Sequence, residues 1–167
     1  MKTLIAFIAG LIAAPLLLVV VGMFGWLGSS GTGNPPGWEV SLGDRLLDEA
    51  LEKRSKGLMN PIKANDAAAL VEGRGIYAKN CAGCHGGAKG PSNWGAGNFY
   101  PRVPQFWQLK ESELTPEEAY AAIHDGIRYS GMGAWKGMMT DEDMWKTANF
   151  VARIHDLSPQ QKPGPPH

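Results

Sequence analysis

Residues 73–85 read Gly73-Arg74-Gly75-Ile76-Tyr77-Ala78-Lys79-Asn80-Cys81-Ala82-Gly83-Cys84-His85, and the rest of the chain is interpreted outward from them. The stretch ends in C-x-x-C-H, and Cys81 and Cys84 are the only cysteines among 167 residues. Two cysteines this close can form a disulfide, half of a metal site or a redox pair, and their surroundings decide. A thioredoxin-like pair follows a strand and opens a helix. Here a helical pattern precedes the pair and a glycine-rich stretch, Gly86-Gly87-Ala88-Lys89-Gly90, follows it. A structural zinc site needs four protein ligands, and no further cysteine is available. The reading that remains is covalent attachment of one haem c. The two thiols add across the two porphyrin vinyl groups. The adjacent His85 then falls beneath the metal and offers it a ring nitrogen.

At the amino end, Lys2 is followed by an uncharged run of 24 residues, Leu4 to Leu27. A membrane-spanning helix needs about 20 apolar residues, whereas a signal peptide has an apolar core of about 7–15 and a small-residue cleavage site. The run is longer than that and no A-x-A site follows, so it reads as an uncleaved anchor. Pro15 is tolerable within a span. Trp26 suits the far interface, and Lys2 places the body of the protein outside the cytoplasm, on the periplasmic side of a bacterial inner membrane. Export agrees with haem c, which is attached outside the cytoplasm. Gly28 to Gly37, GSSGTGNPPG, reads as a flexible tether with a stiff Pro-Pro end. Asp44 to Lys56 reads as a short charged helix with Leu46, Leu47 and Leu51 as its stripe. It is either a connector lying on the membrane or a partner, or a solvated surface helix.

The folded domain is expected to start near Asn65, which can cap a helix from Asp66 to about Lys79. Thr115-Pro116-Glu117-Glu118 announces a second helix to about Arg128, and Thr140 followed by three acids a third, to about Asp156. Between the first two lies a Gly-, Pro- and aromatic-rich stretch, Gly86 to Leu109, long enough to need a purpose such as wrapping a cofactor. No strand alternation is visible. The expected division is a 1–28 anchor, a 29–64 linker, a 65–157 all-α domain and a mobile 158–167 tail. Sixteen basic and sixteen acidic residues give no reason to expect nucleic acid. With 44% hydrophobic residues, 22 Gly and 12 Pro, the composition suits a domain whose cofactor supplies part of its core.

From Asp66 to Leu157 the chain resembles class I cytochromes c, and is similar to the single-haem domains of subunit III of cbb3-type oxidases. Gly73, Tyr77 and Cys81 have the family spacing, and Phe150 stands where the last helix crosses the first at that glycine. The fold implied is a few helices around one haem. The iron would take His85 on one side and a methionine on the other. Of the seven methionines, Met132, Met138 and Met139 lie in the loop before the last helix. The resemblance assigns Met132, within Gly131-Met132-Gly133-Ala134-Trp135, with Met139 as second choice. The family has proline where this chain has Gly133. His124, His155 and His167 are alternative ligands of lower rank. The resemblance also implies a proline carbonyl that accepts the second ring N–H of the histidine, for which Pro91 is the candidate. It implies Arg102 beside a haem propionate, and Trp94, Tyr100, Trp107 and Trp135 around the porphyrin.

Gly73 to Lys110 carries five basic residues and no acid, while Glu111 to Ile127 carries five acids and no base. The basic stretch is a docking ring for an acidic partner, or its charges offset the propionates or are simply solvated. The function implied is single-electron transfer without substrate chemistry of its own. It would work between respiratory membrane complexes or as a subunit of one, with redox proteins as partners and no small-molecule substrate. The rival is a haem enzyme or a gas or peroxide sensor whose sixth ligand is labile. A purely structural haem subunit is the third reading.

Overall fold

The computed structural model describes residues 2–25, 28, 30–63, 66–109 and 114–156. Trp26, Asn65, Lys110, Glu111 and the 157–167 tail, to which the sequence analysis gave roles, lie outside the described residues. The chain divides into two compact units, Met1–Ser30 and Gly31–His167.

The first unit holds α1, Lys2–Met23, a 22-residue helix with a mean hydropathy of 3.0 over its most apolar window and none of that window buried. At 1.5 Å per residue it is about 33 Å long, enough to match a bilayer core of about 30 Å. Pro15 lies inside it.

The second unit is helical, and its described residues form no strand beyond two isolated bridges. It contains α2 (Gly37–Ser55), α3 (Ala67–Asn80), α4 (Ala82–His85), α5 (Gly95–Asn98), a 3₁₀ turn (Phe106–Gln108), α6 (Pro116–Asp125) and α7 (Asp141–Ala152). The cap of α3 is Asp66, one residue after the expected Asn65, and its side chain accepts from Ala69 N–H. Thr115 and Glu118 close the anticipated capping box on α6. That helix ends three residues earlier than expected, because Gly126 turns the chain at φ +68°. Thr140 caps α7.

Two apolar clusters hold α7. On one side Leu70 and Tyr77 of α3 meet Phe150, Val151 and Ile154, with the Tyr77 and Phe150 rings 5.3 Å apart. On the other, Ala119, Tyr120 and Ile123 of α6 meet Met144, Trp145 and Ala148, with Tyr120 stacked on Trp145 at 4.0 Å. The crossing of α3 and α7 passes through Gly73. A Cβ there would overlap the Lys146 carbonyl and press on Cβ of Phe150, so the absent side chain is what brings the two backbones together.

The 29–64 stretch differs from the expected linker. Its helix starts seven residues earlier, at Gly37. Leu51 is buried, and Arg54 donates to the Gly126 carbonyl at 3.0 Å beside Asp125. Asn60 and the buried Asn149 of α7 exchange amide hydrogen bonds at 3.0 and 3.2 Å. Of the expected stripe, Leu51 is buried and Leu47 half-buried, whereas Leu46 is exposed, as are Trp38 and Leu42 of the same helix.

Gly73→Ala is expected to cost about 1–3 kcal/mol by overpacking, read as a fall in Tm of roughly 4–8 °C per kcal/mol. Gly75→Ala on the same helix, where a Cβ meets nothing, should leave Tm unchanged or raise it. Thermal melts of the two variants check the pair.

Candidate metal centre

The last turn of α3 delivers Cys81, and the single turn of α4 carries Cys84 and His85. The Tyr77 hydroxyl donates to the carbonyls of Gly86 at 2.9 Å and His85 at 3.3 Å, pinning the end of this turn to α3. Burial holds the Tyr77 phenol well above its ordinary pKa, so it stays a donor. Gly86 then leaves at φ +75°. A side chain there would strike Gln105 and Gly90.

Both cysteines are free thiols, half-buried, with no disulfide. Burial first, and the neighbouring Cys84 second, push the Cys81 thiol up to about 12. It is therefore protonated at neutral pH, the reverse of the low-pKa thiolate that disulfide exchange requires. Among the described residues, no group of three or more His, Cys, Asp or Glu side chains is placed to hold a metal ion. The redox-dithiol and zinc alternatives both lose support.

The Nδ1 of His85 lies 2.9 Å from the Pro104 carbonyl. A carbonyl only accepts, so the proton is on Nδ1 and the Nε2 lone pair is left for a metal. Burial lowers the His85 pKa, and the Pro104 bond opposes that. The balance favours the neutral imidazole, which is the ligating form. Phe106 stacks on the ring at 4.8 Å and 13°. The expected acceptor, Pro91, does not fill this role. Pro91 lies against Gly86 just after the tight Gly87–Gly90 turn, and the chain has to reach Pro104 before it runs back alongside His85.

Gln105 makes this return run rigid. Its Nε2 donates to the carbonyls of Cys84 at 2.9 Å and Val103 at 3.0 Å, and its Oε1 accepts from Ser92 N–H at 2.7 Å. Residues 84 and 85 are thus tied to 105 and 104 by two adjacent rungs. Pro104, Gln105 and Phe106 were missed in the sequence. Three prolines follow the motif within twenty residues, at 91, 101 and 104, and spacing alone does not choose among them.

Met132 is half-buried and packs on the α6–α7 cluster. Its loop is linked to the cysteine turn through α5. Gly95 sits so close that a Cβ would overlap the Cys84 carbonyl, and further on the Phe99 ring covers Gly131. Trp94 meets Phe99 edge-on at 4.6 Å and is 60% exposed. Trp135 packs on the α6–α7 cluster and, with Ile76, Met138 and Met139, lines a groove of about 580 Å³ beside α3. Met139 also borders that cluster, whereas Met138 is exposed. Tyr100 is hydrogen-bonded to Glu39, whose carboxylate raises its pKa. Arg102 departs from the expected propionate role. Its guanidinium donates to the carbonyls of Gly31, Thr32, Gly33, Gly97 and Phe99, and so clasps the start of the second unit. Trp107 lies in the α3–α7 cluster, with its buried indole N–H lacking a well-aligned partner.

The residues present fit a covalently held haem. The Cys81 thiol, one turn before His85, and the Cys84 thiol next to it stand beside an imidazole with a fixed tautomer, and a methionine loop is tied to the same segment.

Gln105→Ala removes three hydrogen bonds, each contributing about 0.5–1.5 kcal/mol. The expected outcome is a Tm reduced by roughly 4–8 °C per kcal/mol lost, with faster exchange of the His85 Nδ1 proton by NMR.

Residues 68–151 match the family described as cytochrome c oxidase, cbb3-type, subunit III. A curated protein similar to this chain is the cbb3-type cytochrome c oxidase subunit FixP of Sinorhizobium medicae (strain WSM419). The two are 32% identical over 111 residues, 59% of this chain and 33% of FixP. This chain therefore spans about a third of that relative's length. No solved structure matches. With half of its length matched, from the start of α3 to the end of α7, the chain belongs to the cbb3-type cytochrome c oxidase subunit III family.

Proposed function

We propose that the protein is a membrane-anchored, single-haem cytochrome c that passes electrons one at a time, as a subunit of a respiratory oxidoreductase complex or between such complexes. The observation that carries this reading is His85, whose Nδ1–H is committed to Pro104 beside two free thiols. Cys81 and Cys84 would hold the porphyrin by thioether bonds, and His85 Nε2 and the Met132 sulfur would ligate the iron. When bound, haem c supplies a one-electron ferric/ferrous couple, and a thioether ligand raises its potential by favouring the ferrous state.

The chain's own residues restrict what happens there. The Pro104 carbonyl fixes the imidazole tautomer and raises its donor strength. Phe106 shields the ring face. Gln105 and Tyr77 hold the turn in one geometry. No side chain is assigned to bind or transform a small-molecule substrate. α1 serves as the anchor, with the haem-bearing unit on the periplasmic side, following Lys2 and the positive-inside rule. Partners are redox proteins or the other subunits of a membrane complex, met through the basic stretch that includes Arg74, Lys79 and Lys89. The 65–157 core is flanked by 37–63, which packs on α6 and α7.

The test is a reduced-minus-oxidised absorption spectrum of the purified membrane protein, with and without carbon monoxide. A c-type α band unmoved by carbon monoxide is expected, and Met132→Ala should abolish the ferric sulfur-to-iron charge-transfer band. A large carbon monoxide shift in the unaltered protein would overturn the carrier in favour of a sensor or enzyme with a labile site.

A further inference from the structure

We propose that Ser130 is the positioning residue that keeps the Met132 sulfur on the iron; this rests on the assignment of Met132 as sixth ligand. The chain from Ile127 to Met132 closes on itself through three hydrogen bonds. The Ser130 hydroxyl donates to the Ile127 carbonyl at 2.7 Å and accepts from the Met132 N–H at 3.0 Å. The Ile127 N–H donates to the Met132 carbonyl at 2.9 Å. Both backbone polar groups of Met132 are thereby used, and one side-chain oxygen bridges the ends of the turn.

The Phe99 ring lies against Gly131 and Met132 packs on the α6–α7 cluster, while Tyr129 and Gly133 supply little restraint of their own. Gly133 follows Met132, is exposed, and has nothing within 4 Å of where a Cβ would stand. Glycine places no limit on the residue before it, whereas a proline there would confine that residue to extended backbone. On the other side, Tyr129 is 89% exposed and sits at φ +61°, a left-handed conformation that a bulky side chain rarely adopts. Its ring has too little packing to hold that backbone, so closure of the turn has to do so. Past the glycine, the chain is held again where the Trp135 N–H donates to the Ile123 carbonyl at 3.0 Å and the Lys136 N–H to the His124 carbonyl at 3.2 Å. Gly126, at the foot of the loop, admits the Met132–Ala134 backbone against the end of α6. The loop is thus fixed at its two ends, by Phe99 at Gly131 and at Ser130, and the methionine lies between a clasped turn and a glycine that sets no backbone limit of its own.

Removing the hydroxyl frees the Met132 N–H and widens the set of backbone states available with the sulfur off the iron. The added freedom competes directly with ligation, so an exogenous ligand should displace methionine more readily. Ferric, haem-loaded, full-length protein is titrated with imidazole, and loss of the sulfur-to-iron band is followed. Ser130→Ala should bind imidazole about three- to tenfold more tightly than the unaltered protein, the effect of about one neutral hydrogen bond. Ser130→Thr, which keeps the hydroxyl, should behave as the unaltered protein. Gly133→Pro should weaken imidazole binding by itself, and should reverse the gain when combined with Ser130→Ala.

Equal imidazole affinity in Ser130→Ala and the unaltered protein overturns the proposal, even where Tm falls, because a merely structural serine changes melting alone. If Ser130→Ala does not load haem, an unchanged affinity in Gly133→Pro overturns it instead. A sulfur-to-iron band that survives Met132→Ala overturns the ligand assignment itself, and that result is distinct from the first two.

Discussion

The Lys146 carbonyl oxygen stands where a side chain would project from position 73, and it can do so because residue 73 is glycine. That contact lets the backbones of α3 and α7 approach each other directly, with no side chain between them at position 73. The surrounding cluster, with Phe150 and Tyr77 almost wholly inaccessible, is built around it. Everything the site needs is then measured from α3. One turn beyond Gly73, Tyr77 packs on Phe150 and extends its hydroxyl to the carbonyls that end the Cys81–His85 turn. Lys146, next to the crossing, spans Glu72 of α3 and Glu142 of its own helix, and the two carboxylates keep its ammonium protonated. The position of α7 in turn sets where the loop carrying Met132 must finish.

The two halves of the proposed haem site are restrained by different means. The histidine side is a ladder of hydrogen bonds between 84–85 and 104–105, with a stacked phenyl ring behind it. Little there can shift without breaking several bonds together. The methionine side is a closed turn of six residues with glycines at 131 and 133. A carrier gains from a stiff site, because geometry that changes little with oxidation state leaves little to reorganise when an electron arrives. The histidine ladder meets that requirement by long-range hydrogen bonds, and the methionine loop by a local clasp with the Phe99 ring against Gly131.

The segment from Gly31 to Lys63 belongs to the folded unit more than its composition suggests. Arg102 gathers carbonyls from Gly31, Thr32 and Gly33, Leu51 is buried on α6, and Asn60 pairs with Asn149. A Gly-, Ser- and Pro-rich run has the sequence of a free tether, yet its backbone carbonyls are acceptors like any others. One guanidinium with five donors is enough to collect them.

Local chemistry made much of this protein legible in one dimension. C-x-x-C-H, the capping pairs at Thr115 and Thr140, the apolar run of α1 and the Gly73–Tyr77–Cys81 spacing are short-range patterns. Their physical causes act within one or two turns of chain, so the all-helical fold and the cysteine and histidine positions followed from them. What spacing did not reveal were partners brought together across the fold. Pro104 rather than Pro91 meets His85, Arg102 turns to backbone carbonyls, and α2 packs on α6 instead of standing free. Each depends on where a glycine-rich loop returns after many residues, and the same carbonyl and guanidinium groups recur along the chain without distinguishing marks. The sequence by itself determined which groups could serve as ligands. The close packing of α3 on α7, which sets the path of every loop between them, decided which backbone atoms those groups would face.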